Sequence, residues 1–171
     1  MRHLLYTRFF FLLFLLSAFF VFNPSAVQAQ TFRGENVAFQ SSVLNKKFKI
    51  WEVYRLDADL MGTAVRAGGA LGARLQLECG THRWNVRLVP SGLWSPRYVH
   101  RVLRPDGSVD SVQRTKEVAF KGTTEAGDPV RLTIDHHFIY GYVEESEDTW
   151  YIEPVRYLDT EAAADWYVIY P

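Results

Sequence analysis

Seven short runs of alternating apolar and polar residues leave this chain little choice of architecture. They are Ala73 to Cys79, His82 to Val89, Lys116 to Gly122, Val130 to Asp135, Phe138 to Val143, Thr149 to Pro154 and Trp166 to Tyr170. A period of two sends successive side chains to opposite faces of a strand, and Val, Ile, Tyr, Trp and Thr suit a pleated surface. Gly80-Thr81, Pro90-Ser91-Gly92, Pro105-Asp106-Gly107, Gly127-Asp128-Pro129 and the acidic stretch Glu144 to Asp148 mark turns between them. This punctuation predicts a mainly β fold, a curled antiparallel sheet that is barrel- or sandwich-like, with one or two short helices. Asp57 to Ala67 predicts the main helix, with Leu60, Met61, Ala64 and Val65 on one face. Asp57 or Asp59 would cap its start and Gly68-Gly69 would stop it. The alanines of Asp159 to Asp165 predict a second helical turn.

The N-terminus has the layout of an export signal. Arg2, His3 and Arg8 form a basic end, Phe9 to Phe22 an apolar stretch of 14 residues, and Asn23-Pro24 a break before the small residues up to Ala29. Fourteen residues fall short of the roughly 20 that span a bilayer core. Residues 1–29 therefore read as a signal peptide cleaved between Ala29 and Gln30, which places the rest in the periplasm or outside the cell. Residues 30–47 read as a flexible leader and 48–171 as one β domain. Without Arg2 and Arg8 the remaining chain carries 17 basic and 19 acidic side chains, a net of −2, and so lacks the basic footprint of a nucleic-acid binder. The membrane contact expected is the signal's own.

Residues that carry chemistry do not assemble into a known catalytic pattern. His82, His100, His136 and His137 contain no i, i+4 pair for zinc, and there is no HExxH. On a strand, the adjacent His136 and His137 would point to opposite faces and could not share an ion, leaving one half-buried and one solvated histidine. No serine stands in a Gly-x-Ser-x-Gly frame. The glycines at 68, 69 and 72 lack the Lys-Ser/Thr of a phosphate loop, and the acids from Glu144 to Asp148 read as a solvated turn. These observations predict no enzyme activity, no metal and no cofactor. Cys79, the single cysteine, shares a strand face with Leu75 and Leu77 and reads as a buried apolar residue. Trp84, Trp94, Trp150 and Trp166 either build core or line a groove for sugar or peptide.

A family resemblance covers roughly the last hundred residues. Phe120-Lys121-Gly122, Val130 to Asp135, Phe138-Ile139-Tyr140-Gly141-Tyr142-Val143, Trp150-Tyr151-Ile152-Glu153-Pro154 and the closing Asp165 to Tyr170 occur in that order. Leu75 to Tyr98, with Trp84 to Leu88 and Leu93 to Tyr98, precedes them. The set resembles the propeptide domain of adamalysin/reprolysin-type zinc metalloproteases, in particular secreted bacterial members. The resemblance assigns Gly122, Arg131, Gly141, Ile152, Glu153 and Pro154 as structural motif residues. It implies a noncatalytic chaperone or inhibitor of a zinc metalloprotease catalytic domain, or a remnant of a longer precursor, since no HExxH domain precedes Pro171. Animal members often carry a cysteine switch after the Ile-Glu-Pro segment. Cys79 lies well before that segment, so the switch role is not assigned to it. The alternative is a secreted β-rich module that binds peptide or glycan.

Overall fold

The computed structural model describes residues 29–92, 100–112 and 117–171. Residues 1–28 of the expected signal peptide, Trp94 with the rest of Leu93 to Tyr98, and Lys116 lie outside them. Twelve strands are described: β1 Gln30–Arg33, β2 Glu35–Asn36, β3 Glu52–Arg55, β4 Ala73–Cys79, β5 His82–Pro90, β6 His100–Leu103, β7 Val109–Val112, β8 Ala119–Thr124, β9 Pro129–Asp135, β10 Phe138–Glu145, β11 Asp148–Pro154 and β12 Trp166–Tyr170. Two α-helices accompany them, α1 Ser42–Lys47 and α2 Ala58–Ala67. The protein is mainly β, and its principal sheet curls into a nearly closed barrel.

That sheet has the order β1-β4-β5-β8-β9-β10-β11-β12-β3-β2. Its two edges belong to one short piece of chain. β1 pairs in parallel with β4, and β2, one residue later, pairs antiparallel with β3. Gly34 between them donates its N–H to Glu78 at 2.7 Å, and a Cβ at this position would stand 2.9 Å from Cys79 Sγ, so the corner has no room for a side chain. This overturns the flexible leader expected over residues 30–47. Phe32 and Leu44 are buried there, and the stretch joins the two sheet edges. The leader reading rested on polar composition, which hides two short edge strands and a six-residue helix.

Inside the barrel, the alternating residues of β4, β5, β8, β9, β10 and β11 form one cluster that includes Leu75, Leu77, Trp84, Leu88, Ile134 and Ile152. Cys79, fully buried, belongs to it. Helix α2 packs against β4 and β9, which are not neighbours in the sheet, so it crosses the barrel mouth. Asp57 caps it, accepting from the N–H of Leu60 at 2.8 Å. Of its expected apolar face, Met61 and Val65 are buried and Ala64 packs against the cluster, whereas Leu60 is half exposed and Ala58 and Gly62 are buried in its place. A second cluster covers the outside of β3 and β12, where Leu44, Val53, Val155 and Val168 are packed by Phe39, Phe48 and Trp166.

The helical turn expected at Asp159 to Asp165 is replaced by hydrogen-bonded turns, and a 3-10 turn occupies Val155–Tyr157 instead. Asp159 is held elsewhere, since its carboxylate accepts from Ser41 Oγ at 2.6 Å. The Pro105-Asp106-Gly107 turn carries a hairpin the alternation missed, β6 with β7. Val102, Leu103 and Val109 are exposed on it. Among the described residues, no helix is long and apolar enough to cross a membrane.

Candidate functional site

Two features lie outside the core's needs. The first is at the barrel mouth crossed by α2. β9 and β10 pair up to Asp135 and Phe138, leaving His136-His137 as a two-residue loop. The second residue of such a tight hairpin often needs a left-handed backbone, and His137 supplies it with φ of 47°. Both residues therefore leave the strand, and the expectation that their rings point to opposite faces fails. The rings lie 4.0 Å apart, centroid to centroid. Asp59, in the first turn of α2, meets both: His136 Nδ1 is 2.9 Å from its Oδ1 and His137 Nδ1 is 3.9 Å from its Oδ2. His136 is the more solvated, with 71% of its side chain exposed, and His137 is half exposed at 48%, although both sit on the loop.

Neighbouring groups fix this corner. Asp57 takes the helix cap, which leaves the Asp59 carboxylate free for the histidines. Arg156 donates to the carbonyl of His137 at 3.0 Å, tying the loop to the 3-10 turn after β11. Tyr167 is buried, and its hydroxyl has no hydrogen-bond partner among the described residues. Burial raises its pKa above the ordinary phenol value. Arg156 works against that shift, and the charges of Asp165, Asp59 and Asp57 add to it.

The second feature is a row of rings on the outer face of β10, β11 and β12. Tyr142 and Tyr151 lie 6.2 Å apart, Tyr151 stacks on Tyr170 at 5.4 Å, and Tyr170 stacks on Phe48 at 3.9 Å. Tyr140 and Tyr151 are 48% and 39% exposed, a cost in solvated ring surface that the core does not require. Tyr170 donates to Glu153 Oε1 at 2.7 Å, and burial followed by that bond raises its pKa. Next to this row a groove of about 400 Å³ runs between Lys121, Arg131, Thr133, Tyr140 and Tyr142.

Of the residues singled out by the resemblance, Arg131 and Gly141 line that groove, while Gly122, Ile152, Glu153 and Pro154 lie outside its lining. Gly141 stands opposite Leu132 on one side and Ile152 on the other. It has a φ of 153°, and a Cβ there would collide with the carbonyl oxygen of Arg131. Gly122 meets the carbonyl of Arg87 in the same way. At both places the neighbouring backbone occupies the space of a side chain, the sort of close approach a tightly coiled sheet needs. Glu153 and Pro154 follow on β11, opposite Val168 and Tyr167.

Among the described residues, Trp84, Trp150 and Trp166 do not form the groove. Trp84 is buried and donates to Glu145 Oε2 at 3.2 Å, Trp150 packs against the same interior cluster, and Trp166 joins the outer cluster edge-on to Phe39. The tyrosines take the outer face instead. The signal was present in Tyr140, Tyr142 and Tyr151, which occupy the positions between inward-facing residues. Cys79 is sealed under Gly34, and burial pushes its thiol up to about 12, with a partial offset from the Gly34 backbone. The chain matches no protein-family model, and no curated protein matches its sequence.

Proposed function

We propose that the chain is exported, loses residues 1–29 and acts as a noncatalytic propeptide-like domain. In this reading it assists folding of a zinc metalloprotease catalytic domain and inhibits it. One observation carries the reading: the segments of the resemblance coincide with β8 to β12, which pair in unbroken succession. Gly141 pairs with Ile152 on one side and packs against the Arg131 backbone on the other, and Arg131 and Gly141 line one exposed groove. Cys79 is not the inhibitory group, because a buried thiol held protonated offers no thiolate to a metal. Inhibition then comes from surface occlusion, with the tyrosine row as the contact.

The test mixes the purified protein with zinc metalloprotease catalytic domains exported by the same cell. Slowed peptide hydrolysis and a higher refolding yield are expected, both weakened by Tyr140→Ala with Tyr151→Ala. No effect on any of them would reject the reading. A second reading, a secreted module binding peptide or glycan, is favoured by the same exposed rings. It predicts quenching of tyrosine fluorescence by an oligosaccharide or peptide with no protease present.

A further inference from the structure

We infer that Asp59, His136 and His137 form a binding site for one zinc ion at the barrel mouth. The inference is independent of the propeptide reading. It also runs against the absence of metal expected from sequence, because that expectation placed the two histidines on a strand.

The residue types fit the ion. Two neutral imidazoles and a carboxylate are a ligand set that zinc takes, with one further position left for water. The spacing fits as well. One ligand atom from each residue can be chosen so that all three lie within 4.8 Å of one another. Bonds of about 2.0–2.1 Å in a tetrahedron hold ligand atoms about 3.3 Å apart. The separations of 2.9 Å from His136 Nδ1 to Asp59 Oδ1 and 3.9 Å from His137 Nδ1 to the other oxygen, Oδ2, bracket that value. Small side-chain rotations bring the three atoms around a common centre.

The scaffold fits too. The histidines sit on a two-residue loop closed by the Asp135–Phe138 pair, and Asp59 sits in the first turn of a helix capped by Asp57. Arg156 holds the loop through the His137 carbonyl rather than through a ring, so both imidazoles stay available. A hairpin needing only tightness would carry Asn-Gly here. This one keeps a side chain at a left-handed position, and that side chain faces Asp59.

The experiment uses the untagged purified protein, stripped with chelator and titrated with zinc by calorimetry. One equivalent is expected, with cobalt giving the visible absorption of a low-symmetry site. His136→Ala and His137→Ala should each weaken binding more than tenfold, and Asp59→Asn should weaken it as well. Folding is separated from ligation by His137→Gly. Glycine relieves the left-handed backbone, so the melting temperature in chelator should be equal or higher while zinc binding is lost. Cys79→Ala should leave the affinity unchanged, since its thiol is sealed in the barrel. Absence of a binding heat in the unaltered protein would overturn the proposal. So would one equivalent of zinc retained by the double variant His136→Ala, His137→Ala.

Discussion

The barrel interior and the layer outside β3 and β12 use the same kinds of side chain but organise them differently. Inside, each strand contributes every second residue, as Leu75, Leu77 and Cys79 do on β4. Outside, the cover comes from the chain between strands: Phe39, Leu44 of α1 and Phe48 before β3, and Val155 and Leu158 after β11. β3 and β12 lie between the two clusters and are buried on both faces. Tyr54, Tyr167 and Ile169 point inward, while Val53 and Val168 point outward. A strand buried on one side is written as alternation, and a strand buried on both sides as a continuous run.

The difference predicts unequal costs of truncation. Trp84→Ala deletes the largest fully buried side chain among the described residues and its bond to Glu145, so urea unfolding should show a loss of about 3–5 kcal/mol. Leu44→Ala should lose about 2 kcal/mol, at the lower end for a buried leucine, because partly exposed neighbours can close over the gap. Equal losses, with one unfolding transition for both variants, would mean that the outer layer is as tightly packed as the interior.

The same difference explains what could be read from the sequence. The curled sheet, the helix from the Asp57 cap and the strands β4, β5 and β9 to β11 follow from periodicity and turn residues, and β12 from its run of aromatic and β-branched residues. β3 was missed because its buried pair Val53-Tyr54 breaks the alternation. The closing segment 30–36 was missed because edge pairing is a tertiary fact, and Gln30, Thr31, Arg33 and Glu35 carry no apolar signal for it. At the candidate site, the histidine pair was visible but its geometry was not. Two residues moved from a strand into a hairpin loop reverse the conclusion about whether their rings can meet.

Cys79 lies where the interior meets the corner that closes the barrel, and pH probes that junction. Its thiol is raised from an ordinary 9.0 to about 12, chiefly by burial. A proton held more tightly in the folded state gives stability that is complete below the unfolded pKa. That stability drains away as pH rises from about 9 towards about 12. Between pH 9 and 10.5 the contribution lost should be about 1.5 kcal/mol. Tyr54, raised by burial and its bond to Glu52, adds to the alkaline loss, so Cys79→Ala should flatten the slope without removing it. An unchanged slope in Cys79→Ala would show that the corner opens and hydrates before the thiol titrates.

The smallest effect tests how the outer layer is held. α1 has six residues, too few to be stable in isolation, so its contacts must order it. Ser41 makes two of them: its Oγ accepts from the N–H of Leu44 at 3.1 Å and donates to Asp159 Oδ2 at 2.6 Å. The first is a helix cap, and the second crosses 118 positions of sequence to the turn that replaces the expected second helix. Ser41→Ala should cost about 1 kcal/mol, the usual loss for a cap. If the cross-chain bond organises the layer, Ser41→Ala and Asp159→Ala share one loss. A double-mutant cycle should then give a coupling of about 0.5–1 kcal/mol. Strictly additive losses would instead assign α1 to its cap and to Leu44 alone, and the outer layer would be two independent patches resting on β3 and β12.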